Sequence, residues 1–229
     1  MTWKTGQHPV AWSGILVEAA VESADEALAA ERAGAGRVEL CARLDVGGTS
    51  PARDEIARAV SLLSIPVMVM VRPRGGDFVY SDDEFVEMCE EILIARAVEA
   101  HGVVLGLLDA DGRVDEDRTA ELAEIAYPLE VVFHKAIDRT PDPLEALEAV
   151  RRAGVDRILT SAGKPTAAEG ARDLARMVHQ AAGRPTILAG GGVRAENVAQ
   201  IVRESGVREV HARMSGDGER IRAIVEALR

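Results

Sequence analysis

Cysteines and long apolar runs are both scarce in this chain. Its 229 residues include only two cysteines, Cys41 and Cys89. Two cysteines are too few for a disulfide framework, so the composition predicts a reduced, cytoplasmic protein. No run comes near the ~18 consecutive apolar residues that a membrane-spanning helix needs. Residues 1–14 also lack the apolar core of a secretory signal, and we expect them to form a short N-terminal extension.

Positive charge is scarce as well. The 27 lysines and arginines are outnumbered by 38 aspartates and glutamates, and the net charge is −11. An acidic surface repels phosphate backbones, which argues against nucleic acids and anionic membranes as partners. A small anion would need a local basic cluster, and the best candidate is the segment with Arg72, Arg74 and Asp77. The alternative is that these arginines form internal ion pairs with Glu18 and Glu39.

No linker or low-complexity segment divides the chain, and short β-rich runs alternate with amphipathic runs along its length. The predicted strands are residues 15–21, 37–41, 66–72, 102–108, 129–137, 156–161, 184–192 and 208–214. Strict alternation indicates a parallel sheet covered by helices. Eight such units at this length predict one α/β domain, a (β/α)8 TIM barrel with parallel strands over residues 15–229.

Polar side chains lie in or directly after several predicted strands. In a TIM barrel the active site lies at the carboxyl ends of the strands, and polar residues inside strands are costly unless they pair or act in chemistry. The candidates for acid–base chemistry are Glu18, Glu39, His134 and Asp138. The candidates for binding a substrate or anion are Arg72, Arg74, Asp77, Thr160, Ser161 and His211, together with the glycines discussed next.

A glycine-rich turn follows the seventh predicted strand. Gly190, Gly191 and Gly192 come just before a predicted helix, and exposed backbone N–H groups at a helix start suit a phosphate. The open alternative is a tight connection that binds nothing.

His134 and Lys135 lie side by side near the end of the fifth predicted strand. His134 could act as a general base, an anion binder or a metal ligand. Lys135 could form a Schiff base. Because neighbouring strand residues point to opposite faces, we expect Lys135 instead in an ion pair on the outer face.

Side-chain alternation brings two sulfur atoms together. If Glu39 faces the barrel interior, so does Cys41, and if Arg72 does, so does Met70. A thiolate and a thioether are soft ligands that favour Cu(I). The alternative is that both residues fill the core, as buried methionine and free cysteine commonly do.

Five motifs, in order along the chain, resemble the CutC copper-homeostasis family. They are VELCARLDVGGTSP (38–51), VRPRGGDFVYSDDEF (71–85), FHKAID (133–138), ILTSAG (158–163) and AGGGVRAEN (189–197). The resemblance implies a cytoplasmic (β/α)8 barrel associated with copper tolerance. The chain departs from the family pattern at Ala20, where members often carry cysteine, and at Arg213, where serine is usual.

Two functions are open at this point. The resemblance implies a copper-homeostasis protein that binds a copper ion, Cu(I), at the barrel mouth through Cys41 and Met70. The polar strand ends favour instead an enzyme of the lyase, aldolase or isomerase type that acts on a small phosphorylated or carboxylated metabolite. The sequence does not decide between a monomer and a homodimer.

Overall fold

The computed structural model describes residues 14–229, in which eight parallel strands form a closed barrel. The strands are β1 (Leu16–Val21), β2 (Arg37–Leu40), β3 (Val67–Met70), β4 (Gly102–Leu105), β5 (Glu130–Phe133), β6 (Arg157–Thr160), β7 (Thr186–Gly190) and β8 (Glu209–Arg213). The barrel closes because β8 pairs with β1 in parallel, with Glu18 opposite His211. The predicted TIM barrel is confirmed, whereas residues 1–13 of the predicted extension lie outside the described residues.

A helix follows every strand and covers the outside of the barrel. The helices are α1 (Ala24–Arg32), α2 (Arg53–Leu62), α3 (Asp82–Ala97), α4 (Glu116–Ala126), α5 (Pro143–Arg152), α6 (Ala171–Ala181), α7 (Ala195–Ser205) and α8 (Glu219–Ala227). Local sequence sets several starts. Ser81 and Glu84 form a capping box at α3, and Asp142 caps α5 ahead of Pro143. Among residues 14–229, no helix has the length and apolar character required to cross a membrane.

The fifth predicted strand is wrong at its end. The sequence predicts a strand up to residue 137, but β5 ends at Phe133 and a 3-10 helix, Lys135–Arg139, follows. The N–H of Ala136 donates to Nδ1 of His134 at 3.2 Å, and this local bond turns the chain out of the sheet.

Two apolar layers lie on opposite faces of the sheet. The larger one packs between the strands and the helices. The smaller one fills the barrel interior with buried side chains, which are Cys41, Met68, Met70, Val104, Val132, Leu159 and Leu188. Cys41 and Met70 therefore share the inner layer, as strand alternation predicts.

A network of buried charges occupies the amino-terminal part of the interior. Arg37, the first residue of β2, donates to Glu18 and, at 2.7 Å, to Glu209. Arg157, the first residue of β6, donates to Glu209 at 2.6 Å and to Glu130 at 2.8 Å. Each buried arginine thus has carboxylate partners, which offset the cost of removing its charge from water.

Gly102 is required where Met68 crosses the interior. A Cβ at Gly102 would lie 2.0 Å from Cε of Met68 and 2.7 Å from the carbonyl oxygen of Glu130. The methionine side chain therefore fills the space that any larger residue at position 102 would occupy.

Candidate functional site

A pocket of about 560 Å³ opens at the carboxyl ends of the strands. Its charged and titratable lining residues are Glu39, Arg72, His134, Lys135, Asp138, Arg139, Lys164 and His211. Strands β2, β3, β5 and β8, or the segments just after them, supply seven of these eight side chains, so the pocket gathers residues from distant parts of the sequence.

His211 lies between two carboxylates. Its Nδ1 is 2.7 Å from a carboxylate oxygen of Glu18, and its Nε2 is 3.8 Å from one of Glu39. Burial lowers the pKa of His211, but the charges of Glu39 and Glu18 outweigh it and raise the pKa above the ordinary value. The opposite holds for Glu18: burial raises its pKa, but Arg37 and His211 bring it down to about 2.

Glu39 is the carboxylate of this group that lines the pocket. The Cys41 thiol donates to its Oε2 at 3.4 Å, while its Oε1 is buried and has no partner among residues 14–229. Burial raises the pKa of Glu39, and the charge of Glu18 adds to the shift, which exceeds the lowering effect of His211. One ligand atom each from Glu18, Glu39 and His211 lies within 4.8 Å of the other two. Arg37 pairs with Glu18 and so places a positive charge beside this group.

Arg72 is buried and bonds to backbone rather than to acids. Its guanidinium donates to the carbonyl oxygens of Gly48 at 2.8 Å and Gly76 at 3.1 Å, and it lies 4.8 Å from the ring centre of Phe78. The alternative of ion pairs between Arg72 and Glu18 or Glu39 is wrong, because Arg37 stands directly opposite Glu18 in the strand register and pairs with it.

Arg74 and Asp77 lie outside the pocket lining. Arg74 pairs with Asp77 at 2.9 Å and with Glu84 at 2.6 Å, and it stacks over the Tyr80 ring at 5.2 Å. The basic segment is therefore divided: Arg72 lines the pocket, and Arg74 fastens the loop to the start of α3.

His134 is held as a neutral imidazole. Its ring packs 5.0 Å from the centre of Phe78. A Cβ at Gly106 would lie 2.4 Å from its Nδ1, so glycine makes room for the ring. Burial, with the charge of Arg72, lowers the pKa of His134 to about 3. Its Nε2 is buried without a partner among residues 14–229.

Asp138 joins the segment after β5 to the loop after β6. It accepts hydrogen bonds from the Thr160 hydroxyl at 2.6 Å, the Ser161 N–H at 3.1 Å and the Gly163 N–H at 2.8 Å. The Lys135 ammonium bonds to Asp138 and, at 2.8 Å, to the Ser161 hydroxyl. These bonds join four residues into one cluster, which we call the Asp138 clamp: Lys135, Asp138, Thr160 and Ser161.

Lys135 lies on the pocket side, so its predicted position on the outer face is wrong. The prediction assumed that strand alternation continues past His134. The 3-10 helix that starts at Lys135 ends that alternation. The expected ion pair is present, with Asp138 as the partner.

At the glycine-rich end of β7, Gly191 approaches the same cluster. Gly190 is the last residue of β7, and Gly191 and Gly192 have φ angles of 109° and 68°, in the left-handed region that favours glycine. A Cβ at Gly191 would lie 3.4 Å from Nζ of Lys135. A phosphate site at Gly190, Gly191 and Gly192 stays a prediction.

The two sulfur-containing candidates meet beside Gly48. Sγ of Cys41 and Cε of Met70 each lie 3.3 Å from the position of a Cβ on Gly48. Met70 lines the pocket, while Cys41 is fully buried beneath it. Burial raises the pKa of the Cys41 thiol well above the ordinary value, and Glu39 adds to the shift.

Sequence reasoning missed several residues of the site and its support. Arg37 precedes Glu39 by two residues, so alternation places both on one face, but Arg37 begins its strand and the candidates lie at strand ends. Arg139 and Lys164 line the pocket from segments after β5 and β6, and no pattern in the sequence marks those positions.

The chain is a TIM-barrel protein, since eight βα units close its barrel. Its polar pocket lies at the carboxyl ends of the strands, where TIM barrels have their active sites. The family model described as the CutC family matches residues 15–216. The chain belongs to the CutC family.

Known relatives agree with this assignment. A CutC family protein from Mesorhizobium japonicum is 47% identical, over 86% of this chain and 76% of the relative. A protein named copper homeostasis protein cutC homolog, from Homo sapiens, is 42% identical over 87% of this chain and 73% of its own length. The Mus musculus protein of that name is 41% identical over 94% of this chain and 80% of its own.

Solved structures match as well. The CutC crystal structure from Streptococcus agalactiae superposes with a TM-score of 0.82 at 36% identity, covering 86% of this chain and 97% of the other. A thiamine phosphate pyrophosphorylase from Pyrococcus furiosus gives a TM-score of 0.63 at 18% identity, covering 95% of each chain, and shares the fold alone.

Proposed function

We propose that this CutC-family barrel binds a small anionic metabolite in the pocket at its mouth and moves a proton on it. The main support is the charge of the pocket lining, which contains four cationic side chains and only two carboxylates. The cations are Arg72, Lys135, Arg139 and Lys164, and the carboxylates are Glu39 and Asp138. The whole chain has a net charge of −11. A local excess of cations in an acidic protein attracts an anion to that place.

The pocket also carries a proton-transfer pair. Glu39 and His211 both line it, and the pKa of each is raised above its ordinary value. A carboxylate with a raised pKa is a stronger base. Glu39 is the proposed base, and His211, held by Glu18, is the group that exchanges the proton with it.

Thermal unfolding with added inorganic phosphate, citrate and a panel of phosphorylated and carboxylated metabolites tests the anion site. We expect stabilisation of the wild type, reduced in Arg139→Ala and Lys164→Ala. Both side chains are exposed at the rim, so their removal spares the core. Arg74→Ala is the matched control, because Arg74 lies outside the lining. Equal stabilisation in all four proteins, or none in any, would contradict the proposal.

Binding of Cu(I) is the second candidate, favoured by the two sulfur residues beside Gly48. Relatives from human and mouse are named copper homeostasis proteins. The donor set suits Cu(I), because a thiolate and a thioether are soft ligands. Copper would replace the thiol proton, and a neutral thiolate–Cu(I) pair avoids the buried negative charge that raises the pKa of Cys41. Copper binding of this kind requires a reduced thiol. Because the cytoplasm keeps thiols reduced, we propose a cytoplasmic location for the protein.

The strand-one thiol of the family pattern is absent here. Ala20 is buried at 2% exposure and offers no ligand atom. We therefore propose one thiolate and one thioether as the copper ligands in this chain.

An anaerobic Cu(I) titration against a competing chelator tests the copper proposal. We expect one equivalent to bind to the wild type and to the Cys89→Ala variant, and binding to be lost in Cys41→Ala. Cys89 is the matched control, because it is the other cysteine and lies on α3. Weak binding of equal strength in all three proteins would overturn it.

A further inference from the structure

Three buried polar atoms without partners belong to residues of this pocket. Among residues 14–229, only five buried side-chain nitrogen or oxygen atoms lack a hydrogen-bond partner. Oε1 of Glu39, Nε of Arg72 and Nε2 of His134 are three of the five, and all three residues line the pocket. Buried polar atoms in folded proteins are nearly always paired, so this concentration requires a cause.

The hydrogen-bond pattern fixes which nitrogen of His134 carries the proton. Nδ1 accepts the N–H of Ala136 at 3.2 Å, so in the neutral ring the proton is on Nε2. The adjacent Arg72 and the burial of the ring keep the imidazole uncharged near neutral pH. His134 therefore offers a neutral N–H donor. A general base or a metal ligand needs a free nitrogen lone pair, and this tautomer has none at Nε2.

Arg72 lies next to this donor and supplies a fixed positive charge. Its terminal nitrogens donate to carbonyl oxygens, including those of Val46 and Gly48, and the Tyr80 hydroxyl, another of the five unpaired atoms, lies beside its side chain. Phe78 packs against both groups, 4.8 Å from the guanidinium and 5.0 Å from the imidazole ring. The same aromatic ring thus holds the His134 donor and the Arg72 cation in place.

We propose that the ligand is a small anionic carbonyl compound whose carbonyl oxygen accepts a hydrogen bond from Nε2–H of His134, beside the positive charge of Arg72. This inference rests on the proposed anion site and names its substrate class. Glu39 removes a proton from the carbon next to the carbonyl. The C–H bond breaks, an O–H bond forms on Glu39, and the electron pair forms a C=C bond while the carbonyl oxygen becomes an oxyanion.

The His134 N–H and the charge of Arg72 stabilise that oxyanion, because a donor and a charge fixed where negative charge develops lower the barrier without rearranging. Return of the proton from Glu39 to the carbon that lost it restores the carbonyl and completes an exchange or an inversion of that carbon with no oxidant or co-reactant. The cationic rim then holds the remote carboxylate or phosphate group of the same molecule.

Oxalate is the probe for this geometry, because its planar oxygens imitate the enolate of an α-oxo acid. Calorimetric titration of the wild type, His134→Gln and His134→Leu measures the donor's contribution. Gln retains an N–H near the Nε2 position, while Leu retains volume only. We expect His134→Leu to weaken oxalate binding about tenfold or more, and His134→Gln to stay within about threefold of the wild type. Equal affinities for wild type and His134→Leu would overturn the inference.

Nitrogen-15 spectra of the histidine rings give a second readout on the unaltered protein. We expect Nε2 of His134 to carry the proton from pH 5 to 8 and its signal to move when oxalate is added. A charged ring, or a proton on Nδ1, would overturn the inference even if a variant failed to fold.

Comparison with inorganic phosphate separates the two proposals. Binding of phosphate without binding of oxalate would refute the carbonyl-oxygen site and leave the anion site standing. Failure of both ligands to bind would refute the anion site and this inference together.

Discussion

Nδ1 of His211 lies 2.7 Å from a carboxylate oxygen of Glu18, across the seam where β8 closes onto β1. The same carboxylate accepts from Arg37, so one buried group joins three neighbouring strands. This contact links the pocket, where His211 is found, to the charge network beneath it.

Loss of the Glu18 charge should destabilise the barrel strongly. In Glu18→Gln, Arg37 and His211 lose their shared anion, and we expect the free energy of unfolding to fall by about 3 kcal/mol or more, as when one partner leaves a buried ion pair. Urea denaturation measures it. Glu22→Gln is the control, since Glu22 is exposed just beyond the same strand; comparable losses in both variants would contradict the prediction.

The same substitution should also change the acid sensitivity. The pKa of Glu18 is about 2 in the folded protein, below its ordinary value of 4.5. Its stabilisation is therefore present above pH 4.5 and is lost as the pH falls toward 2. The difference in stability between wild type and Glu18→Gln should shrink over that interval, and a constant difference would argue against it.

Glu91 on α3 should make stability fall as the pH rises. Burial raises its pKa to about 7, although the Ser50 hydroxyl donates to it at 2.6 Å. The folded state holds this proton more tightly than the unfolded state, so the contribution of Glu91 to stability is complete below about pH 4.5 and declines between about pH 4.5 and 7. We expect Glu91→Gln to remove on the order of 1–2 kcal/mol of that decline, allowing for partial exposure.

Unfolding midpoints in urea at pH 5, 6, 7 and 8 measure the Glu91 effect. The exposed neighbour Glu90 provides the control variant, Glu90→Gln, which should follow the wild type. An unchanged slope in Glu91→Gln would show that another group causes the decline.

A methyl group at position 102 should disturb the interior. Gly102→Ala would place a Cβ 2.0 Å from Cε of Met68 and 2.7 Å from the backbone oxygen of Glu130. We expect a loss of about 1–3 kcal/mol, as for other overpacked cores. The methionine end can move and the backbone cannot, so Met68→Leu should rescue the variant only in part. A double-mutant cycle measured in urea tests this, and full additivity would refute it.

The Asp138 clamp should control the shape of the pocket. Asp138→Asn keeps the oxygen that accepts from Thr160 and Gly163, but it replaces the other oxygen with an amide nitrogen, which cannot accept from the Lys135 ammonium and the Ser161 hydroxyl. We expect a loss of about 1–3 kcal/mol and faster hydrogen exchange in the loop after β6. Asp111→Asn, at an exposed loop position, is the comparison; protection of that loop equal to the wild type would contradict the role of the clamp.

The order of elements could be read from the sequence because strands and helices have different hydrophobic periods. The alternation also placed Cys41 with Met70. It failed after Phe133, where a single side-chain bond from the Ala136 N–H to His134 overrides strand geometry.

Pairing of charges could not be read in the same way. Which arginine meets Glu18 depends on strand register, and the register places Arg37, not Arg72, opposite it. The rim residues Arg139 and Lys164 come from segments whose course depends on the Asp138 clamp, a contact between residues more than twenty positions apart. Sequence periodicity carries no information on such contacts.

The charge network at the amino-terminal end has a kinetic consequence. Arg37, Arg157 and their carboxylates fill the lower interior, and the apolar inner layer lies above them. A molecule that binds in the pocket must therefore enter and leave by the same opening. Under the proposed proton transfer, product and substrate would occupy that opening in turn, so product should inhibit competitively and turnover should slow as product accumulates.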